Sequence, residues 1–132
     1  MSNTVDFSSN GKTTSGYLAG DSGPGVIVVQ EWWGLNDQIK GVAERFGAAG
    51  FRALAPDLYR GTVARSPDEA GKLFMALDIA RAERDLRGAV DYLRGLTPGR
   101  RVGTVGYCMG GALSLFAACA AGDKVGACVI YY

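Results

Sequence analysis

The stretch Val102–Gly111, which reads VGTVGYCMGG, decides the fold of this chain, because an apolar run leads directly into a cysteine flanked by glycines. The pattern is typical of a nucleophile elbow, in which a strand turns sharply into a helix and holds its central residue in a strained, exposed conformation. Glycines are needed beside that residue because the two arms of the turn nearly touch. The stretch therefore predicts a strand that ends at Gly106, a turn at Cys108 and a helix from Met109 to Ala121.

Alternating strand and helix patterns extend in both directions from this stretch. The predicted strands are 4–8, 12–19, Val26–Gln30, Phe51–Ala55, Arg101–Gly106 and Val125–Tyr132, with 12–19 as an edge strand and the last as a core strand. A helix begins at Asn36 or Asp37 and ends at Gly50, and one long helical region runs from the Ser66 cap to about Arg94. Strands that alternate with helices favour an α/β fold with a mostly parallel sheet flanked by helices.

Length, charge and cysteine content exclude several classes of protein. The 132 residues make one domain at most, and 14 basic against 13 acidic residues leave a net charge of +1. This balance predicts neither a nucleic-acid nor a membrane-surface partner, and the start of the chain lacks the features of a signal peptide, which indicates the cytoplasm. The three cysteines are an odd number without C-x-x-C spacing, so we expect no disulfide framework and no zinc site. The sequence implies no other metal and no organic cofactor.

Two reactive side chains follow directly on predicted strands. Glu31 comes after the strand Val26–Gln30, and Cys108 comes after the strand that ends at Gly106. Active residues of open α/β sheets gather at the carboxyl ends of strands, so both are expected at one rim. As a thiolate at a helix N-terminus, Cys108 would be the nucleophile. The backbone N–H groups of Met109 and Trp32 are the expected oxyanion-hole donors.

Other polar residues carry structural interpretations. Cys119 and Cys128 are expected to be buried and inert, and Asp57, after Pro56, is expected to be a turn residue. One helix face carries alternating charges and is expected to be a solvated surface; its members are Arg81, Glu83, Arg84, Asp85 and Arg87. The pair Gly103 and Gly106 does not meet the G-x-G-x-x-G spacing, so a nucleotide site is not indicated.

Three segments together resemble the dienelactone hydrolase family of the α/β-hydrolase superfamily. They are Gln30–Asn36 (QEWWGLN), Ala55–Tyr59 (APDLY) and Gly103–Gly111 (GTVGYCMGG), and their order and spacing fit over essentially all 132 residues. The resemblance implies an α/β-hydrolase-like fold and a Cys-His-Asp triad that hydrolyses small-molecule lactones or activated esters. By position, it implies that Cys108 is the nucleophile and that Glu31 helps to form the thiolate when substrate binds. It also implies that Trp32 and Met109 supply the oxyanion-hole amides.

This sequence departs from the family pattern in two respects. It contains no histidine, and the Asp and His of the family follow the strand that ends at Tyr132. We therefore expect residues 1–132 to be the N-terminal part of a single domain, truncated after that strand and inactive alone, which associates with itself or with a complementing C-terminal half. Near the second helix, Pro67 and Gly71 stand where family members that act on dienelactone have an arginine and a tyrosine. Phe74 replaces a family tryptophan; with Trp33 it is the expected substrate contact.

Three alternatives stay open on sequence grounds. The chain could be a non-catalytic module whose elbow cysteine binds thiols or a partner protein. Catalysis could instead use Glu31 as the only base, although a loop carboxylate is usually too acidic to assist thioester hydrolysis at neutral pH. A cysteine elbow also occurs in glutamine amidotransferases, but their histidine is missing here and Glu31 is unexplained there.

Overall fold

The computed structural model describes residues 2–132, and its centre is a six-stranded mixed sheet with strand order β1-β2-β4-β3-β5-β6. The strands are β1 (Ser2–Ser9), β2 (Lys12–Ala19), β3 (Gly25–Val29), β4 (Arg52–Pro56), β5 (Val102–Tyr107) and β6 (Val125–Tyr131). The helices are α1 (Asp37–Ala48), α2 (Pro67–Ala76), α3 (Ile79–Leu96) and α4 (Met109–Ala121), followed by a short 3-10 helix, Gly122–Lys124. The strands β4, β3, β5 and β6 run parallel, whereas β1 and β2 add an antiparallel hairpin.

The strand β3 lies at the centre of the molecule, where both of its faces are buried. Ile27 and Val29 pack into a cluster with α3 and α4, whereas Val28 packs with α1 on the opposite face. All three side chains are fully buried, and each contributes about 1.5–3 kcal/mol through the hydrophobic effect. The β-branched run therefore forms a strand buried on both faces, as predicted, and the α/β architecture predicted from the alternation of strands and helices is confirmed.

Helix α1 forms where local signals predict it. The Asn36 side chain accepts a hydrogen bond from the backbone N–H of Ile39 at 3.1 Å and so caps the helix. Ile39 and Ala43 are buried against the sheet, and Gly50 follows the helix with φ +97°. This backbone conformation favours glycine, which explains why the helix ends before it.

The long helical region predicted over residues 67–94 is wrong in one respect, because the structure breaks it into α2 and α3. Leu77 has an extended backbone and a buried side chain, and Asp78 accepts a hydrogen bond from the N–H of Arg81 at 3.2 Å. Asp78 therefore caps a new helix instead of continuing the first. Helical spacing alone does not distinguish the two arrangements, because α2 and α3 have the same period.

The predicted positions of two strands in the sheet are also wrong. The edge strand is β1, and β2 lies inside the sheet between β1 and β4. At the opposite edge, β6 is not a core strand: Val129, Ile130 and Tyr131 are 45–49% exposed. They are exposed because β6 has only β5 as a neighbour. The strand β6 therefore presents an unpaired apolar edge, as its apolar sequence predicts.

The charged face predicted on α3 is not simply a solvated surface. Asp85 is only 1% exposed, and its Oδ1 accepts hydrogen bonds from Ser9 Oγ at 2.5 Å and Arg60 Nη2 at 2.7 Å. The Arg81 guanidinium donates to the carbonyl oxygen of Leu58 at 3.2 Å. Residues distant in sequence provide these partners, so the pattern of charges along the helix does not reveal them.

The predicted burial of two cysteines is wrong as well. Cys119 is exposed on α4, and Cys128 is half-buried with its sulfur 3.4 Å from Ser114 Oγ. Both lie near the open β6 edge, where few elements cover them. Over residues 2–132, no helix combines the length and apolar character needed to cross a bilayer.

Candidate active site

Three strand ends place Glu31, Cys108 and Tyr132 in one row. In β3, β5 and β6, Val29 lies opposite Gly106, and Gly106 lies opposite Ile130. Glu31, Cys108 and Tyr132 each follow that register position by two residues. The structure therefore brings the two sequence-predicted reactive side chains to the same rim of the sheet, with a phenol beside them.

Cys108 forms the turn between β5 and α4 in an unusual backbone conformation. Its φ is 58° and its ψ is −123°, a region that L-residues enter rarely and at a cost of about 1–3 kcal/mol. Its N–H donates to the carbonyl oxygen of Tyr131, and its own carbonyl oxygen accepts from the N–H of Gly111, both at 3.0 Å. The thiol is exposed. The fold thus holds the sulfur outward at the start of a helix.

The glycines beside Cys108 are required by close backbone contacts. A Cβ on Gly106 would lie 1.9 Å from the carbonyl oxygen of Gly110, and a Cβ on Gly110 would lie 2.3 Å from that of Gln30. Neither obstacle is a side chain that could move aside. The first turn of α4 therefore packs directly on the ends of β3 and β5, as the sequence pattern predicts.

A tight turn follows β3 and presents the two tryptophans. The N–H of Gly34 donates to the carbonyl oxygen of Glu31 at 3.2 Å, which leaves Trp32 and Trp33 as the central residues of the turn. Their rings meet edge to face with centroids 5.6 Å apart. The N–H of Trp32 is not used in closing this turn, and Met109, as the first residue of α4, has no intrahelical acceptor for its N–H. These are the two backbone donors expected for an oxyanion.

Gln30 anchors this turn and was missed by sequence reasoning. It is fully buried, its Oε1 accepts from the N–H of Leu58 at 3.0 Å, and its Nε2 donates to the carbonyl oxygen of Glu31 at 3.4 Å. The amide side chain therefore joins the loop after β3 to the loop after β4. A polar residue at the end of an otherwise apolar strand was the available signal, since a buried amide needs partners.

Tyr132 was also missed, although it contacts Glu31 directly. Its phenol donates to Glu31 Oε2 at 3.4 Å. The Glu31 carboxylate raises the pKa of Tyr132, and slight desolvation and the nearby Cys108 sulfur act in the same direction. The Cys108 sulfur and the Glu31 carboxylate therefore both lie close to the Tyr132 phenol. The paired strands β5 and β6 explain this placement, which no local pattern in the sequence indicates.

A stack of two tyrosines lies beside this row. The rings of Tyr107 and Tyr131 are almost parallel, 9° apart in tilt, with centroids at 5.0 Å. Burial is the main cause that raises the pKa of Tyr107, and the neighbouring Tyr131 phenol adds to it. One side of the row is therefore aromatic.

The remaining sequence-predicted residues lie farther from the row or serve the fold. Phe74 is exposed on α2, and among residues 2–132 no ring contact joins it to either tryptophan. Asp57 Oδ2 accepts from the N–H of Gly61 at 2.7 Å, which is the turn role expected of it. In the described part of the chain, no group of acidic and cysteine side chains is arranged to hold a metal ion.

Comparisons with known proteins agree with this architecture. The model of the dienelactone hydrolase family matches residues 14–132. The protein usf of Aquifex pyrophilus is 39% identical, with an alignment that covers 100% of this chain and 62% of that protein. Carboxymethylenebutenolidase 1 of Cupriavidus pinatubonensis is 36% identical over 71% of this chain and 44% of its own length.

Solved structures show the same fold. A dienelactone hydrolase-like promiscuous phosphotriesterase, P91, from metagenomic libraries superposes with a TM-score of 0.81 and 29% identity, covering 98% of this chain and 58% of that one. The dienelactone hydrolase of Anabaena variabilis superposes with a TM-score of 0.72 and 25% identity, and the alignment covers 97% of this chain and 61% of that one. The chain therefore spans about three fifths of the length of these structures.

Proposed function

The chain belongs to the dienelactone hydrolase family, and from that membership we propose that Cys108 is the nucleophile in the hydrolysis of a lactone or ester. The observation that carries the proposal is the turn itself: an exposed thiol, at φ 58°, begins a helix in register with a carboxylate. The family does not favour the alternative of a non-catalytic module. Relatives named carboxymethylenebutenolidase support the substrate class.

In the proposed first step, the Cys108 proton passes to Glu31 and the sulfur attacks the carbonyl carbon of the substrate. The positive end of the α4 dipole stabilises negative charge at this position. A carbon–sulfur bond forms, and the carbonyl oxygen becomes an oxyanion that accepts hydrogen bonds from the N–H groups of Met109 and Trp32. The bond to the alcohol oxygen then breaks, that oxygen takes up the proton held by Glu31, and the acyl group remains on sulfur as a thioester.

In the proposed second step, water attacks the thioester, which releases a carboxylic acid and restores the thiol. This step needs a base that is largely unprotonated yet sufficiently basic near pH 7, which is why histidine is the usual choice. The 132 residues contain no histidine. We therefore propose that a histidine outside these residues completes the reaction, and that the 132 residues alone stop at the acyl-enzyme.

Aromatic side chains are the proposed substrate contacts. Trp33 lies in the turn that follows Glu31. Its carbonyl oxygen accepts a hydrogen bond from the N–H of Ala64 at 2.8 Å, so both this turn and the loop at Ala64 hold the Trp33 backbone in place. Phe74 is the second proposed contact and lies on α2, which passes this turn at Gly71: a Cβ added to Gly71 would lie 4.0 Å from the Trp32 ring. Both would contribute apolar area to an acyl or lactone group.

The experiment that tests this function is the reaction of the 132-residue chain with p-nitrophenyl acetate. We expect a single burst of p-nitrophenol, about one per chain, without sustained turnover. Mass spectrometry should locate the acetyl group on Cys108. The variant Cys108→Ala should lose the burst, whereas the matched control Cys119→Ala/Cys128→Ala should keep it.

Two results would contradict the proposal in different ways. A burst that persists in Cys108→Ala would exclude Cys108 as the nucleophile. Sustained turnover that disappears with Cys108→Ala would keep the nucleophile but contradict the need for an external histidine, and Glu31 would become the base.

A further inference from the structure

A polar cavity lies away from Cys108, between the β1–β2 hairpin, the loop after β4 and the first half of α3. Its volume is about 180 Å³, and the residues that line it are Ser9, Asn10, Lys12, Arg60, Arg81 and Arg84. Four of the six side chains are therefore cationic, and the other two offer a hydroxyl and an amide. In the described structure, no acidic side chain lines the cavity.

The neighbouring carboxylates neutralise only part of this charge. Asp85 is buried and accepts from Arg60, so it compensates for one cation. Glu83, two residues earlier on the helix, is paired with Arg87 at 3.1 Å. No described hydrogen bond or ion pair involves the side chains of Lys12 and Arg84. The cavity therefore carries an excess of positive charge that repels itself unless an anion is present.

Arg81 adds an unsatisfied donor to this excess charge. One of its terminal nitrogens donates to the carbonyl oxygen of Leu58 at 3.2 Å, which fixes the guanidinium. Its Nε is buried and has no partner among the described residues. Buried polar groups are nearly always hydrogen-bonded, to protein or to ordered water, so this donor is available to an acceptor from outside the chain.

We propose that this cavity binds a small oxyanion that carries at least two negative charges. The planar fork of arginine matches the paired oxygens of phosphate and carboxylate, and three arginines line the cavity. The volume holds several water molecules, since each takes roughly 30 Å³ in the liquid, and so it admits an anion of this size. The ligand chemistry is therefore an oxyanion, either a free phosphate or a dicarboxylate.

The cavity is connected to the Cys108 rim through one residue. The carbonyl oxygen of Leu58 accepts from Arg81, and its N–H donates to Gln30, which precedes Glu31. The binding proposal nevertheless does not depend on the proposed hydrolysis, because none of the lining residues takes part in it. Failure of one proposal would leave the other intact.

The test is isothermal titration calorimetry of the 132-residue chain with inorganic phosphate and, separately, with succinate. Lys12→Gln and Arg84→Gln should each weaken binding by about tenfold, since each removes a charge-assisted hydrogen bond. The matched control is Arg100→Gln, which removes the same charge from an exposed side chain outside the cavity and should change binding less than about twofold. Circular dichroism of each variant checks that it is folded.

Each outcome of this titration decides the proposal. Phosphate binding that both cavity variants weaken would support it and identify a phosphate ligand, and the same pattern with succinate alone would identify a dicarboxylate. Absence of binding by both anions would overturn it. Equal weakening by Arg100→Gln would also overturn it, because a general attraction to positive charge would then explain the binding.

Discussion

At the scale of single residues, the Glu31 carboxylate is the charged group that we propose acts beside Cys108. Its Oε2 accepts a hydrogen bond from Tyr132, which leaves Oε1 as the oxygen that could receive the Cys108 proton. The carboxylate disfavours ionisation of the phenol and so raises the pKa of Tyr132.

The first prediction concerns this coupling. Glu31→Gln should lower the pKa of Tyr132 toward the ordinary tyrosine value, because the carboxylate is the largest cause that raises it. The ultraviolet absorbance of tyrosinate, compared between chains with and without Tyr132→Phe, isolates this residue in each background. A pKa unchanged by Glu31→Gln would contradict the contact. Because the folded pKa of Tyr132 is raised, its contact with Glu31 contributes to folding stability at all pH values below the unfolded pKa of about 10. That contribution is lost as pH rises through the folded pKa.

At the scale of elements, the packing of α4 on the sheet sets the position of the thiol. The helix begins so close to β3 that a Cβ on Gly110 would lie 2.5 Å from the carbonyl oxygen of Val29. Met109, in the same turn, accepts a hydrogen bond at its sulfur from Tyr59, 3.6 Å away. The start of α4 is therefore held by strand ends and by the loop after β4 together.

The second prediction follows from two glycines that both lie within helices. Gly110→Ala should destabilise the chain by about 1–3 kcal/mol or more, because the added methyl group meets backbone atoms that cannot move independently. Gly95→Ala, in α3, meets nothing within 4 Å and should stabilise by about 0.5–1 kcal/mol. Urea unfolding measures both changes. Equal effects of the two substitutions would show that α4 does not pack on β3 as described.

At the scale of the whole molecule, a continuous part of the exposed apolar surface lies along β6 and α4. Val129, Ile130 and Tyr131 are exposed on the edge strand β6, and Leu115 and Phe116 are exposed on α4 beside it. A groove lined by Phe46, Val105 and Val129 continues this surface on the opposite face of the sheet. Exposed apolar patches next to an unpaired strand edge favour association.

The third prediction is that the 132-residue chain associates with itself through this edge. Val129→Lys should shift sedimentation equilibrium toward the monomer by placing a charge on the apolar edge. Val63→Lys is the matched control, because Val63 is 40% exposed in a loop, close to the 47% of Val129. If Val63→Lys dissociated the chain as strongly, or if the unmodified chain were a monomer at high concentration, this prediction would be wrong.

The sequence by itself determined the features that depend on neighbouring residues. The turn at Cys108, its required glycines and the cap at Asn36 follow from spacing within a few residues, so local patterns predict them. The burial of β3 on both faces is likewise predicted by its run of β-branched residues. The parallel arrangement followed because helices alternate with strands, and this arrangement places Glu31 and Cys108 at one rim.

Only the tertiary structure decided the contacts between residues far apart in the chain. Tyr132 reaches Glu31 across 101 positions and Ser9 reaches Asp85 across 76, and no spacing rule indicates either pair. The break between α2 and α3 also depends on the tertiary structure, because the cap at Asp78 and the buried Leu77 side chain outweigh a continuous helical period. Hydrogen-bond partners and strand register are set by which elements meet in space, and the local sequence does not contain that information.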